Sequence, residues 1–202
     1  MRATAVFLFI FLSVNASSQP SVTKYLDSTL FQLKAQNQTD KTDSKVFSLL
    51  ESFYNEALQA DQGELSLETA QKINAYVSDN SLKNKHLLIL FLIYQDHISQ
   101  TAARGLQPNT EFQVACMNLL ESEMKLVYNK VPTIVYVYKV EALKSAGRKE
   151  EASAFVEASL NVNPTSIPLK VYKYLGSHDE SIKADLVENH SKHWMVQLYK
   201  IK

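Results

Sequence analysis

The sequence predicts an all-α protein, and two observations support that prediction. The chain has only 4 glycines and 5 prolines among 202 residues, below the average usage of about 7% and 5%, so few residues are available for the turns of a sheet protein. Apolar residues also recur at i, i+3, i+4 and i+7 through most segments, which is the spacing of an amphipathic helix. Together they indicate about eight helices, arranged as antiparallel hairpins.

The first sixteen residues have the composition of an export signal. Arg2 precedes an almost unbroken apolar run over 3–14, and small residues at 14–16 lie where signal peptidase cleaves. A membrane anchor is the alternative, but about 12 apolar residues are fewer than the roughly 20 that cross a bilayer. We therefore expect residues 1–16 to be removed, leaving an exported protein, periplasmic or secreted, with one helical domain over 17–202 and no membrane span.

Charge and cysteine content limit the classes of function. Removal of Arg2 leaves 20 basic against 21 acidic residues, a balance that indicates neither a nucleic-acid partner nor an anionic membrane. Cys116 is the only cysteine, so an intrachain disulfide is impossible and packing must stabilise the core. The helical context of Cys116 predicts a buried, inert thiol.

Capping residues and apolar periodicity divide the first half of the chain into four helices. The fourth contains LLILFLIY at 87–94, which we expect to be central and buried on every side. A buried strand is the alternative for so short a run, but no helix breaker follows before Gly105, which favours a helix. The expected helices span 21–38, 44–60, 66 or 67 to 77, and 81–104.

A helical hairpin between Thr133 and Pro164 is the best-defined element, preceded by a long helix over 111–130. Gly147 lies where the first helix must end in a left-handed residue, and Pro164 ends the second helix. The segment 134–138 has strand propensity, but the helical period continues through Leu143. Apolar or small residues of the second helix share one face: Ala152, Phe155, Val156, Ser159 and Leu160.

This hairpin resembles the tetratricopeptide repeat. Residues at the spacings of that repeat are Tyr136, Val140, Leu143, Gly147, Ala152, Val156, Ser159, Leu160 and Pro164. The resemblance covers about 32 of 202 residues. Lys139 and Val140 depart from the pattern, because an apolar residue and a small residue are usual at those positions.

The resemblance implies a short right-handed superhelix whose concave face binds a protein or peptide. The first helix of each hairpin lines that face, which places Ile134, Val137, Glu141 and Lys144 at the partner-binding positions. The carboxylate-clamping members of the family use several basic and amide residues there, whereas this chain has only Lys144, so an apolar or mixed peptide is expected. Contact of Ile134 and Val137 with a preceding helix is the alternative.

Two further helices are expected after Pro164. The first is short and stops at Gly176. A capping box over 177–180 then opens a terminal helix that continues through Trp194 to Ile201, and this helix would close the stack.

The sequence contains none of the familiar catalytic motifs, such as HExxH, a nucleophile elbow, a phosphate loop or CxxC. We therefore expect a non-catalytic adaptor or assembly factor without cofactor or metal. His190 and His193, at i and i+3 of the expected terminal helix, could share a metal with Glu188 or Asp185, and Asp96 with His97 could form an acid–base pair. An exported enzyme or ligand carrier that brings Asp96 and these three histidines into one pocket is the alternative function.

Overall fold

The computed structural model describes residues 21–202, so the predicted export signal at 1–16 lies outside the described residues. Over residues 21–202 the chain forms ten α-helices and one π-helical segment, with no strand, which confirms the all-α prediction. The α-helices are α1 Val22–Gln36, α2 Lys45–Tyr54, α3 Leu67–Ser78, α4 Lys85–Arg104, α5 Thr110–Tyr128, α6 Thr133–Ser145, α7 Lys149–Val162, α8 Ile167–Ser177, α9 Glu180–His190 and α10 Trp194–Leu198, and the π segment is Asn55–Gln59.

Helix α4 is the centre of the N-terminal half and packs against α1, α2, α3 and α5. Leu87, Leu88 and Leu90 have no exposed surface, because the apolar run lies between these neighbours. Ile89 and Leu92 are only half-buried, so the expectation of burial on every side was wrong. No helix within residues 21–202 has the length and hydropathy needed to cross a membrane.

The hairpin between α6 and α7 forms as the glycine signal predicted. Gly147 has a φ of +72°, and the amide of Arg148 donates to the carbonyl of Leu143 at 2.9 Å while the amide of Gly147 donates to that of Lys144 at 3.0 Å. These are the two bonds of the Schellman motif. Since a Cβ on Gly147 would meet no atom within 4 Å, the backbone angle alone requires glycine there.

Lys139, which departs from the repeat pattern, has a specific partner on α5. Its Nζ lies 2.6 Å from Oε2 of Glu121, a carboxylate that also binds Lys125, and 4.5 Å from the centre of the Phe155 ring. Lys139 on α6 therefore contacts both α5 and α7, and its charge is paired with a carboxylate of the protein.

The C-terminal region differs from the prediction in where its helices end. Gly176 lies inside α8, and His178, with a φ of +53°, is the left-handed residue that follows that helix. Asp179, rather than Ser177, caps α9 by accepting from the amide of Ser181 at 2.8 Å. The expected single terminal helix is two helices, because His193 caps a separate α10.

Contacts between helices that are distant in sequence join the N-terminal and C-terminal parts of the fold. Each helix from α4 to α9 packs against the next helix along the chain, and α6 also packs against α8. In addition α2 packs against α6, and the π segment that continues α2 packs against α8. The amide of Thr133 at the start of α6 donates to Oε1 of Glu51 on α2 at 2.7 Å. Helix α2 therefore packs against α6, and its π extension packs against α8.

Candidate functional site

The four predicted partner-binding residues divide into two pairs. Ile134 and Val137 have no exposed surface, and α2 and α5 both pack against their helix. A partner cannot reach either side chain in this structure. This placement agrees with the alternative reading, in which both residues contact neighbouring helices.

Glu141 and Lys144 reach the surface, but each already has a partner on α8. The hydroxyl of Tyr172 donates to Oε1 of Glu141 at 2.6 Å, and Nζ of Lys144 lies 4.5 Å from the centre of the Tyr172 ring. Burial raises the pKa of Glu141, although the Tyr172 hydrogen bond and Lys144 oppose that shift. Burial lowers the pKa of Lys144. Tyr172 was not among the predicted site residues, because only packing of α6 on α8 brings it there.

A cleft with a volume of about 320 Å³ lies at the turn end of the α6–α7 hairpin, between α5 and the turn that joins α6 to α7. We call it the turn cleft. Its apolar residues are Val114, Ala115 and Ala146, and its polar and charged residues include Thr110, Glu111 and Arg148. Arg148 also pairs with Glu151 one turn along α7. The mixture of apolar surface and opposite charges suits an uncharged or mixed peptide segment better than a strongly charged one.

A second cleft, of about 260 Å³, lies at the other end of α6. We call it the polar cleft; its lining includes Glu51, Asn55, Gln59, Thr133, Asn163 and Thr165. The π segment contributes Asn55 and Gln59, and π-helical turns are rare and occur often at functional sites. No sequence signal indicated this cleft, since the hydrogen bonds that join its separate segments connect residues 30 to 112 positions apart.

The residues of the alternative enzymatic function, Asp96, His97, His190 and His193, do not line one pocket. His97 packs on Phe112 with ring centres 4.6 Å apart, and Asp96 on the same helix is exposed. His193 is fully buried and its Nε2 donates to the carbonyl of Leu58 at 2.8 Å. His190 lies 4.0 Å from Asp185. None of the side chains of Asp96, His97, His190 and His193 lines the turn cleft or the polar cleft.

His190 and His193 do not share a helix face, contrary to the assumption behind a shared metal. His190 ends α9, whereas His193 caps α10 and accepts at Nδ1 from the amide of Met195 at 3.3 Å. Over residues 21–202 no group of three or more His, Cys, Asp or Glu side chains is placed to hold a metal. Cys116 is fully buried, as predicted, and burial raises its pKa to about 12.

Comparison of the chain with protein-family models, with curated proteins and with solved structures finds no match. The functional argument therefore depends on the residues and geometry of the chain itself.

Proposed function

We propose that the protein is an exported, non-catalytic adaptor or assembly factor of tetratricopeptide-like type, which holds a protein or peptide partner. The observation that carries this proposal is the turn cleft, which combines apolar Val114, Ala115 and Ala146 with the opposite charges of Glu111 and Arg148. Extended peptides bind in such grooves through apolar side chains and are oriented by flanking polar groups.

The arrangement of the C-terminal helices supports the repeat-like part of the proposal. In stacked helical hairpins each hairpin packs on the next, and here α6 of one hairpin packs against α8 of the next. Because Ile134 and Val137 are buried, the partner surface that we propose is the turn end of the hairpin, with Lys144 two residues before Ala146.

A binding experiment with charge-reversed variants tests the proposal. The chain from residue 17 is used to capture partners from the extracytoplasmic fraction of its source, and each captured protein is purified and titrated by calorimetry. We expect Lys144→Glu/Arg148→Glu to weaken binding by about tenfold or more, since charge-assisted contacts are worth about 1.5–3 kcal/mol.

The matched control is Lys24→Glu/Lys192→Glu, which makes the same change in net charge at exposed residues outside the turn cleft. Circular dichroism establishes that both variants fold. Equal binding by the native protein and the Lys144→Glu/Arg148→Glu variant would rule out this surface, and failure to capture any partner would contradict the adaptor function.

The export proposal has a separate test. N-terminal sequencing of the protein recovered from its source should begin at Ser17, because residues 14–16 match the cleavage pattern. A chain that retains Arg2 would refute export by signal cleavage.

A further inference from the structure

The polar cleft has walls that are already held rigid by hydrogen bonds within the protein. The hydroxyl of Tyr54 lies 2.6 Å from Oε1 of Gln59 and 2.7 Å from Oγ of Ser166. Gln59 also accepts from the amide of Ile167 at 3.0 Å and donates to the carbonyl of Thr165 at 3.0 Å. A ligand would therefore meet a preorganised surface, and preorganisation lowers the entropic cost of binding.

Three oxygen atoms of the polar cleft can still accept a hydrogen bond. Glu51 uses Oε1 to accept from the amide of Thr133 at 2.7 Å, which leaves Oε2. Oδ1 of Asn163 accepts one bond, from Thr133 Oγ1 at 3.1 Å, and the carbonyl of Thr165 accepts one from Gln59. Each of these two oxygens retains a second lone pair. A ligand group with several donors and no acceptor would complement them.

The charge of the cleft favours the same kind of ligand. Glu51 is the charged residue of the lining, and no Lys, Arg or His of residues 21–202 forms an ion pair with it. Asn163 is the residue that caps the C-terminus of α7, where the helix dipole adds partial negative charge. The starts of α6 and α8 also lie at this cleft, and their partial positive charges are met by Glu51, which accepts from the amide of Thr133, and by Gln59, which accepts from the amide of Ile167.

We propose that the polar cleft binds a primary ammonium group, and that in the assembled complex this group is a lysine side chain of the peptide partner. The ammonium has three donors and no acceptor, so it would donate to Glu51 Oε2, Asn163 Oδ1 and the carbonyl of Thr165. The ammonium site follows from the cleft alone, whereas its assignment to a partner lysine rests on the proposed adaptor function.

The test uses small probes and the full chain from residue 17. Nα-acetyl-lysine methylamide is titrated into 15N-labelled protein and amide shifts are followed by NMR. We expect saturable shifts at Asn55, Thr133 and Asn163, and none with Nα-acetyl-norleucine methylamide, which has the same apolar chain without the ammonium. Glu51→Gln should weaken lysine binding by about tenfold, since it removes the charge but keeps an oxygen for the Thr133 amide.

Glu188→Gln, which makes the same charge change at an exposed residue of α9, is the control and should bind like the native protein. Three results would overturn the proposal: no saturable shift with the lysine probe, equal shifts with both probes, or unchanged binding in Glu51→Gln. The comparison of the lysine and norleucine probes uses only the native protein, so it can still refute the proposal if Glu51→Gln fails to fold.

The two clefts lie at opposite ends of α6, so the outcomes can be separated. If the lysine probe does not bind but partners are still captured through the turn cleft, only the ammonium site is refuted and the adaptor function stands. Binding of the lysine probe without any captured partner would contradict the adaptor function and the assignment to a partner lysine, while the ammonium site would stand.

Discussion

His86 is a fully buried histidine whose two ring nitrogens make no hydrogen bond with the protein atoms of residues 21–202. The charged groups that face it are Glu123, with Oε2 at 4.0 Å from Nε2, and Lys34, which pairs with the same Glu123 carboxylate at 2.5 Å. Burial lowers the pKa of His86 to about 4, because Glu123 only partly offsets the loss of water and Lys34 opposes protonation.

This shift makes the free energy of unfolding depend on pH. An unfolded histidine binds a proton near pH 6.5, whereas His86 in the folded protein stays neutral until about pH 4. The unfolded state therefore binds more protons between these values, and stability that is present at pH 7 is lost as pH falls through this window. The difference between a pKa of 6.5 in the unfolded chain and about 4 in the folded protein corresponds to about 3 kcal/mol.

We expect His86→Met to remove that dependence. Methionine fills a similar volume without a polar atom, and no hydrogen bond is lost, so the free energy of unfolding at pH 7 should stay the same or rise by about 1 kcal/mol. Urea denaturation followed by circular dichroism at pH 7 and pH 4 measures both values. The loss between the two pH values should be smaller in His86→Met by about 3 kcal/mol.

The comparison cancels the contribution of carboxylates, which are the same in both proteins. If native protein and His86→Met lose equal stability between pH 7 and pH 4, then His86 is not a neutral buried residue and the reasoning fails.

Three further pairs of substitutions test the packing by urea denaturation. Ile134→Ala should cost about 2–5 kcal/mol because Ile134 is fully buried, while Lys144→Ala, which loses the contact with the Tyr172 ring, should cost only about 0.5–1 kcal/mol; similar costs would contradict the assigned burial. Gly63→Ala should cost more than Gly105→Ala: both have positive φ, a strain of about 1–2 kcal/mol, but only at Gly63 would the new Cβ lie 2.7 Å from the Trp194 indole. Equal losses would mean that Trp194 moves freely. Asn84→Ala should cost about 2–4 kcal/mol, since its side chain bonds to Asp40 and Asp43 at 2.7–3.0 Å and its φ is +59°. Asn84→Gly, which relieves the strain, should lose about 1 kcal/mol less, and the opposite order would refute the role of φ.

The helices themselves were predictable because their signals are local. Side chains of Ser66 and Asn109 cap α3 and α5 by accepting from amides three residues ahead, and the apolar period defines each buried face within a few turns. The hairpin turn at Gly147 is equally local. Errors arose where two local signals competed, as at Gly176, which continues α8 while His178 takes the left-handed conformation.

The candidate site was only partly predictable. Glu141 and Lys144 were indicated by the repeat resemblance and do reach the surface, but Ile134 and Val137 are covered. An amphipathic pattern identifies apolar positions, and it does not distinguish a residue that faces a groove from one that faces another helix. The residues of both clefts come from different elements, so no spacing along the chain could reveal them.

The sequence by itself determined which segments are helical, where most helices begin, and that packing rather than a disulfide must stabilise them, because propensity, capping and cysteine count act within a few residues or on composition alone. The tertiary structure decided which surfaces remain open. Glu51 and Thr133 are 82 residues apart in the chain, and Tyr54 and Ser166 are 112 apart. Contacts over such separations depend on how whole helices pack, and this packing buries Ile134 and Val137 and leaves the two clefts at the ends of α6.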